Sequence, residues 1–242
     1  MNNVRQLMAP FPTRRKRRTK YERRSTKDER QATITYPTPL TEKYRPAGIS
    51  EFLSLDRPKR VLAKFAQAPR AAAFVFVGPP GTGKTTMAQA LAKTLGAELH
   101  HIASQKADVA AIDAVVTRCH YVPMFGADGW HVVLIDEADK MSSAAELALL
   151  SPLDSTAPVP NTIFIFTCND TKGFERRFLS RCIVLEFSTK DLNGDLTAFL
   201  RRVWQREAPD DARVPDLDLI AHDAEGNVRD ALNKLDLELL AA

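Results

Sequence analysis

Residues Phe74 to Gly96 read FVFVGPPGTGKTTMAQALAKTLG, an apolar strand, a glycine-rich turn and an alanine-rich helix with no spare residues between them. Gly78, Pro79, Pro80, Gly81, Thr82, Gly83, Lys84 and Thr85 fit the phosphate-loop pattern GxxxxGK[ST] in the strand-to-helix context the pattern requires. Glycines let backbone N–H groups curl around phosphate oxygens, and the helix start adds the partial positive charge of its unpaired amides. Lys84 is expected to reach the β- and γ-phosphates of ATP, and Thr85 to hold Mg²⁺ through its hydroxyl. Thr86 follows in the first helical turn as a further nucleotide contact. A glycine turn that merely joins strand to helix is the bland alternative.

Downstream, Val132 to Asp139 reads VVLIDEAD. Four apolar β-formers deliver Asp136 and Glu137 to the carboxyl end of a strand, where open α/β sheets bind their ligands. Asp136 is expected to hold Mg²⁺ mainly through its water ligands, and Glu137 to polarise the attacking water as general base. Thr162 to Thr167, TIFIFT, reads as a fully apolar, buried strand that brings Asn169 to the same edge. Asn169 suits a hydrogen bond to the γ-phosphate or to the lytic water, or the plainer role of a turn residue.

Strands at Phe74–Val77, Leu99–Ile102, Val132–Ile135, Thr162–Thr167 and Ile183–Phe187 alternate with helices at 56–68, 85–95, 108–119 and 139–150. That alternation predicts an α/β fold with a parallel five-stranded sheet covered on both faces. Gly96 is the expected stop of the phosphate-binding helix. After Ser188 only helices follow, at 192–207, 217–223 and 228–240, which predicts a small all-helical lid. The expected divisions are a basic leader over 1–36, the nucleotide-binding domain over 37–187 and the lid over 188–242. Asn227 is the expected N-cap of the last helix. Arg229 in its first turn opposes the helix dipole, which suggests that it serves an anion.

The 242 residues carry a net charge of +4, with 44% hydrophobic residues, enough for an ordinary core. The charge is uneven. Residues 1–33 hold 11 Lys or Arg and 3 acidic residues, including RRKRR at Arg14 to Arg18, so the other 209 residues are net acidic. Such a segment buries too little apolar surface to order itself and suits either a solvated leader or an arm for nucleic-acid phosphates. No apolar run approaches the length of a membrane span, and the expected setting is the cytoplasm. Cys119, Cys168 and Cys182 are an odd set without CxxC spacing, which suggests neither disulfides nor zinc. His100 and His101, adjacent in a strand, must face opposite ways, one packed and one solvated.

LTEKYRP at Leu40 to Pro46, GPPGTGKT, VVLIDEAD, TCN at Thr167 to Asn169, LSRC at Leu179 to Cys182 and GNVRDALN at Gly226 to Asn233 occur in one order. As a set they resemble the AAA+ ATPases, and among these the clamp-loader subunits of the bacterial DNA polymerase III gamma/tau and replication factor C types. The resemblance covers about residues 40–242. It implies a P-loop AAA+ core followed by a helical lid, with Lys84 and Thr85 as Walker A, Asp136 and Glu137 as Walker B, Asn169 as sensor 1 and Arg229 as sensor 2. It further implies that Arg181 is an arginine finger offered to a neighbouring subunit, and that Tyr44, Arg45 and Pro46 lie near adenine and ribose. Without the motif, Arg176, Arg177 and Arg181 read as a solvated basic face.

The implied partners are DNA, other AAA+ subunits and a sliding clamp, with no membrane. Clamp loaders also carry a helical collar after the lid, beyond the point reached at Ala242, and the gamma/tau zinc module is missing. FLSLD at Phe52 to Asp56 stands where the family has a Gly-Gln pair. Two other functions fit the motifs: an AAA+ remodeller or regulator of another DNA transaction, such as helicase loading, transposition or recombination, and a nucleotide-gated binding module that hardly turns over.

Overall fold

The computed structural model describes residues 38–123, 129–154, 156, 158–188 and 192–242. The basic leader expected over 1–36 lies outside the described residues.

Five strands form one parallel sheet: β1 (Ala72–Val77), β2 (Glu98–Ala103), β3 (His131–Asp136), β4 (Thr162–Cys168) and β5 (Ile183–Glu186), in the order β2-β3-β4-β1-β5. The expected α/β fold with a five-stranded parallel sheet is therefore the observed one. All five strands run the same way, so the residues that follow them share one edge. β1 lies between β4 and β5, and β4 lies beside β3. The loop after β1 thereby stands next to Asn169 and near Asp136.

Around the sheet the helices are α1 (Leu40–Lys43), α2 (Asp56–Gln67), α3 (Lys84–Thr94), α4 (Val109–Cys119), α5 (Ser143–Leu149) and α6 (Arg176–Leu179), followed by α7 (Leu192–Glu207), α8 (Leu217–Asp223) and α9 (Val228–Ala241). Near-continuous burial of β1, β3 and β4 follows from helices on both faces. On one face Leu62, Met87 and Leu91 of α2 and α3 pack against Phe74, Phe76 and Leu134. Phe65 of α2 meets Phe74 edge-on with ring centroids 5.0 Å apart. The other face is filled by Ile112, Val115 and Leu149 of α4 and α5 against Val133, Ile135 and Phe166. A third cluster joins Leu196, Leu200, Trp204, Leu217, Leu232 and Leu235 of α7, α8 and α9 to Leu40 of α1.

Caps account for several boundaries. Gly96, at φ 55°, lets the chain leave α3 in the left-handed region, and Ala97 N–H bonds back to the Ala92 carbonyl at 2.9 Å. Asn227 caps α9 as expected, its side chain accepting from Asp230 N–H at 3.1 Å. The helix expected over 139–150 is shorter. Ala138–Lys140 forms a 3₁₀ turn, and α5 begins only at Ser143, because the Ser142 hydroxyl caps a new helix by accepting from Ala145 N–H at 3.2 Å. FLSLD has a structural counterpart as well. Ser54 and Leu55 both occupy the left-handed region, at φ 47° and 57°, a conformation that glycine adopts without the Cβ penalty.

Candidate nucleotide site

The loop between β1 and α3 closes around its own lysine. Lys84 is nine-tenths buried at the first turn of α3, and its ammonium donates to the carbonyls of Gly78 at 2.6 Å and Pro79 at 2.8 Å. Burial pulls its pKa below the ordinary lysine value, against the attraction of the nearby Asp136 and Asp139 carboxylates. An anion placed at the loop restores the charged form that burial disfavours. Asn169, directly after β4, accepts from Lys84 through Oδ1 at 3.4 Å.

Thr85 donates its hydroxyl to Asp136 Oδ1 at 2.8 Å. The same carboxylate oxygen accepts from the Thr167 hydroxyl at 2.5 Å, and Thr167 Oγ1 in turn accepts from the Glu137 N–H at 3.1 Å. Thr167 thus ties both acidic residues to β4. It is not among the residues the sequence singles out. The signal available was a hydroxyl near the end of an otherwise apolar strand. Glu137 itself sits in the left-handed region at φ 55°, where β3 turns into the 3₁₀ turn, and its exposed carboxylate pairs with Lys140 Nζ at 2.5 Å. His101, exposed at the same edge, lies 3.8 Å from Asp136 Oδ2.

Pro80, Gly81, Gly83, Lys84, Thr85, Thr86, Asp136, Glu137, Asp139, Asn169 and Arg229 line one polar cleft of about 160 Å³. A neighbouring cavity of about 190 Å³ shares Gly81, Gly83, Thr86 and Arg229 with it and continues past Thr82, Tyr44, Arg45, Pro46, Phe52 and Leu232. The groove is therefore polar at the loop and more apolar beyond it. Tyr44 also reaches α7. Its hydroxyl donates to Glu207 Oε1 at 2.6 Å, and its ring packs edge-on to Phe199.

Several features bear on whether a nucleotide and Mg²⁺ fit. Gly81, at φ 76°, lies so close to α9 that a Cβ built there falls 1.8 Å from Asn227 Oδ1. Only a residue without a side chain permits that approach. The groups expected at the metal, Thr85 Oγ1 and the Asp136 carboxylate, are hard oxygen donors of the kind Mg²⁺ takes. Among the described residues, Asp139 Oδ1 is a buried side-chain oxygen with no hydrogen-bond partner, a further acceptor beside the cleft. The residues fit both groups.

Arg181 stands elsewhere. It follows α6 and lines a small cavity with Ala71, Ala72, Ala73 and Thr162, at the starts of β1 and β4. Its guanidinium donates to the Arg177 carbonyl at 2.7 Å and lies 3.6 Å from Asp154 Oδ2. The phosphate loop leaves the opposite ends of those strands, about 17–20 Å away at the usual rise per residue. The structure brings together Lys84, Thr85, Asp136, Glu137, Asn169 and Arg229, and leaves Arg181 outside the group.

The loop, the paired acids and the parallel sheet are the arrangement of a P-loop nucleotide site. Residues 74–189 match the profile of the ATPase family associated with various cellular activities (AAA), and the chain carries an AAA+ ATPase fold resembling clamp-loader subunits. It is 34% identical over 202 residues to replication factor C small subunit 1 of Pyrobaculum arsenaticum, covering 80% of this chain and 60% of that protein. It is 29% identical over 201 residues to the replication factor C small subunit of Methanocella arvoryzae, covering 81% of this chain and 61% of that protein. The chain spans about 60% of the length of these curated relatives. Among solved structures, the Thermotoga maritima RuvB Holliday junction branch migration motor superposes with a TM-score of 0.64 at 21% identity, over 79% of this chain and 64% of that one. Among the described residues no helix is long and apolar enough to cross a membrane.

Proposed function

We propose that this chain binds ATP with Mg²⁺ and hydrolyses it as one subunit of a clamp-loader-like assembly acting on DNA, with a sliding clamp as partner. The separation of Arg181 from the chain's own phosphate loop carries this reading. A single chain gathers every group expected for hydrolysis except the one arginine that the resemblance assigns to a neighbour. The match to replication factor C small subunits over four-fifths of the chain supports the DNA-replication setting.

In this reading Lys84, the loop amides and Arg229 hold the triphosphate oxygens. Tyr44, Arg45 and Pro46 border the base and ribose, with the Tyr44 hydroxyl kept by Glu207 and only its ring turned to the nucleotide. Thr85 and Asp136 hold Mg²⁺, which when bound neutralises charge on the β- and γ-phosphates. Glu137 takes a proton from the attacking water while Asn169 orients it. The bond from the γ-phosphorus to the bridging oxygen breaks, and ADP leaves with the electron pair. Arg181 of one subunit faces the γ-phosphate of the next and stabilises the charge developing there. Such a residue supplied in trans contributes about 10³–10⁵ in rate. The helices from 192 onward act as a lid over the domain that precedes them, and the basic leader contacts DNA backbone.

The test is ATP turnover by mixed subunits. Arg181→Ala is expected to bind ATP normally and lose hydrolysis by at least about 10³-fold. Mixing it with Glu137→Gln, which keeps Arg181, restores part of the activity, because one interface then holds both an intact Glu137 and an intact Arg181. Normal turnover by Arg181→Ala alone, or full-rate turnover by the wild-type chain at dilutions where it is monomeric, overturns the shared site.

A further inference from the structure

Two histidines and a cysteine converge at the end of the sheet remote from the phosphate loop. Glu98 and His131 are register partners at the starts of β2 and β3, and His100 lies two residues along from Glu98. In a parallel pair these three side chains share one face, the face covered by α4, whose last residue is Cys119. The ligand atoms of His100, Cys119 and His131 all lie within 4.8 Å of one another. His131 and Cys119 are 1% and 2% exposed.

The hydrogen bonds set the ring orientations. His131 Nε2 lies 2.9 Å from the Tyr121 carbonyl, which can only accept, so this nitrogen carries the proton. The lone pair of His131 Nδ1 then points at His100 Nε2, 3.0 Å away. A backbone carbonyl that orients a histidine through its outer nitrogen is the usual second partner of a metal-binding imidazole. Two imidazole nitrogens on a tetrahedral zinc lie about 3.3 Å apart, from bond lengths of about 2.0–2.1 Å. Opening the present pair by a few tenths of an ångström makes that room. Glu98 is held by Arg118 at 2.9 Å and lies 4.0 Å from His100 Nε2, placing a carboxylate beside the cluster.

We propose that His100, His131 and Cys119 form a binding site for a borderline-to-soft divalent transition ion, zinc foremost. A set of two imidazoles and one thiolate selects such ions over Mg²⁺, which takes hard oxygens. The ion takes the place of the hydrogen between the two rings, which moves to Nδ1 of His100 as that ring changes tautomer, and the thiol proton of Cys119 is released to solvent. It ties the end of α4 to the starts of β2 and β3. This site is separate from the Mg²⁺ ligands Thr85 and Asp136 at the other end of β3, and it is independent of the reading of nucleotide hydrolysis.

The full chain, stripped of metal with a chelator, is titrated with Co²⁺ and Zn²⁺. One Co²⁺ per chain is expected, with a thiolate-to-cobalt charge-transfer band, displaced by Zn²⁺. That band is lost in Cys119→Ser and kept in Cys182→Ser and Lys84→Ala. Zinc at about a hundred times its dissociation constant raises the thermal midpoint of the wild-type chain by about 5–10 °C. Should Cys119→Ser fail to fold, alkylation of Cys119 in the wild-type chain decides: zinc protects this thiol if the site exists. Absence of a stoichiometric thiolate–cobalt band in the wild-type chain, persistence of the band in a folded Cys119→Ser variant, or alkylation of Cys119 unaffected by zinc overturns the proposal.

Discussion

The hydroxyl of Thr167 donates to Asp136 Oδ1 at 2.5 Å while accepting from the backbone N–H of Glu137 at 3.1 Å. One side chain on β4 therefore holds both the Asp136 carboxylate and the backbone of Glu137 at the end of β3. Thr167→Val keeps the β-branched shape and deletes only these bonds. Outer partners of metal-binding groups are worth about 10–100-fold in affinity or activity. The variant is expected to fold normally and to lose that much in Mg²⁺-dependent turnover. Nucleotide binding measured without Mg²⁺ stays unchanged. A loss of metal-free binding of the same size would mean that Thr167 acts through the loop instead.

Gly81 of the phosphate loop lies against Asn227, the N-cap of α9, so closely that a Cβ there would fall 1.8 Å from Asn227 Oδ1. Gly81→Ala puts a methyl group against the Asn227 carboxamide and forces a left-handed alanine, which costs about 1–2 kcal/mol. ATP affinity, read with a fluorescent analogue, is expected to fall by at least about tenfold, since 1.4 kcal/mol is tenfold. Asn227→Ala alone costs about 1 kcal/mol of stability as a lost helix cap. Combining the two removes the clash, so the double variant binds ATP better than Gly81→Ala does. Simple additivity in binding would show that α9 does not press on the loop in solution.

Lys140 pairs with the Glu137 carboxylate at 2.5 Å, on the exposed side of the site. That pairing competes with a role for Glu137 as base. Lys140→Ala is expected to raise basal ATP turnover a few-fold, because exposed pairs are weak. Added salt narrows the difference by screening the pair in the wild-type chain. A fall in turnover instead would place Lys140 on the substrate side of the reaction.

Glu207 of α7 accepts from both Lys43 and Tyr44, and these hydrogen bonds, that of Lys43 foremost, hold its carboxyl below the ordinary value of 4.5. A depressed carboxyl stabilises the fold above its unfolded pKa and loses that contribution as pH falls through the folded one. Tyr44→Phe is expected to cost about 1 kcal/mol at neutral pH in urea unfolding. The gap between variant and wild type closes as the pH drops below about 4.5. A gap that persists in acid would show that the Tyr44 hydroxyl contributes independently of the charge on Glu207.

The alternation of strand and helix, the loop GPPGTGKT and the carboxylates after VVLI were legible because each is a local pattern. Strand period, glycine placement and the order of elements are written in consecutive residues. The α5 start was not legible, because a serine cap in mid-run decides it over the apolar spacing on both sides. Thr167 was hidden by its apolar neighbours in TIFIFT, since a hydroxyl in a buried strand gains meaning only from the strand beside it.

The sequence alone determined the sheet, the phosphate loop and the identities of the charged residues around it, all set by short-range spacing. Only the tertiary structure decided that Thr167 bridges Asp136 and Glu137, that α9 presses on Gly81, that Arg181 stands about a strand's length from its own loop, and that Cys119 meets His100 and His131. Each of these relationships joins residues far apart in the chain. Strand order and helix docking, which no local spacing encodes, bring them together.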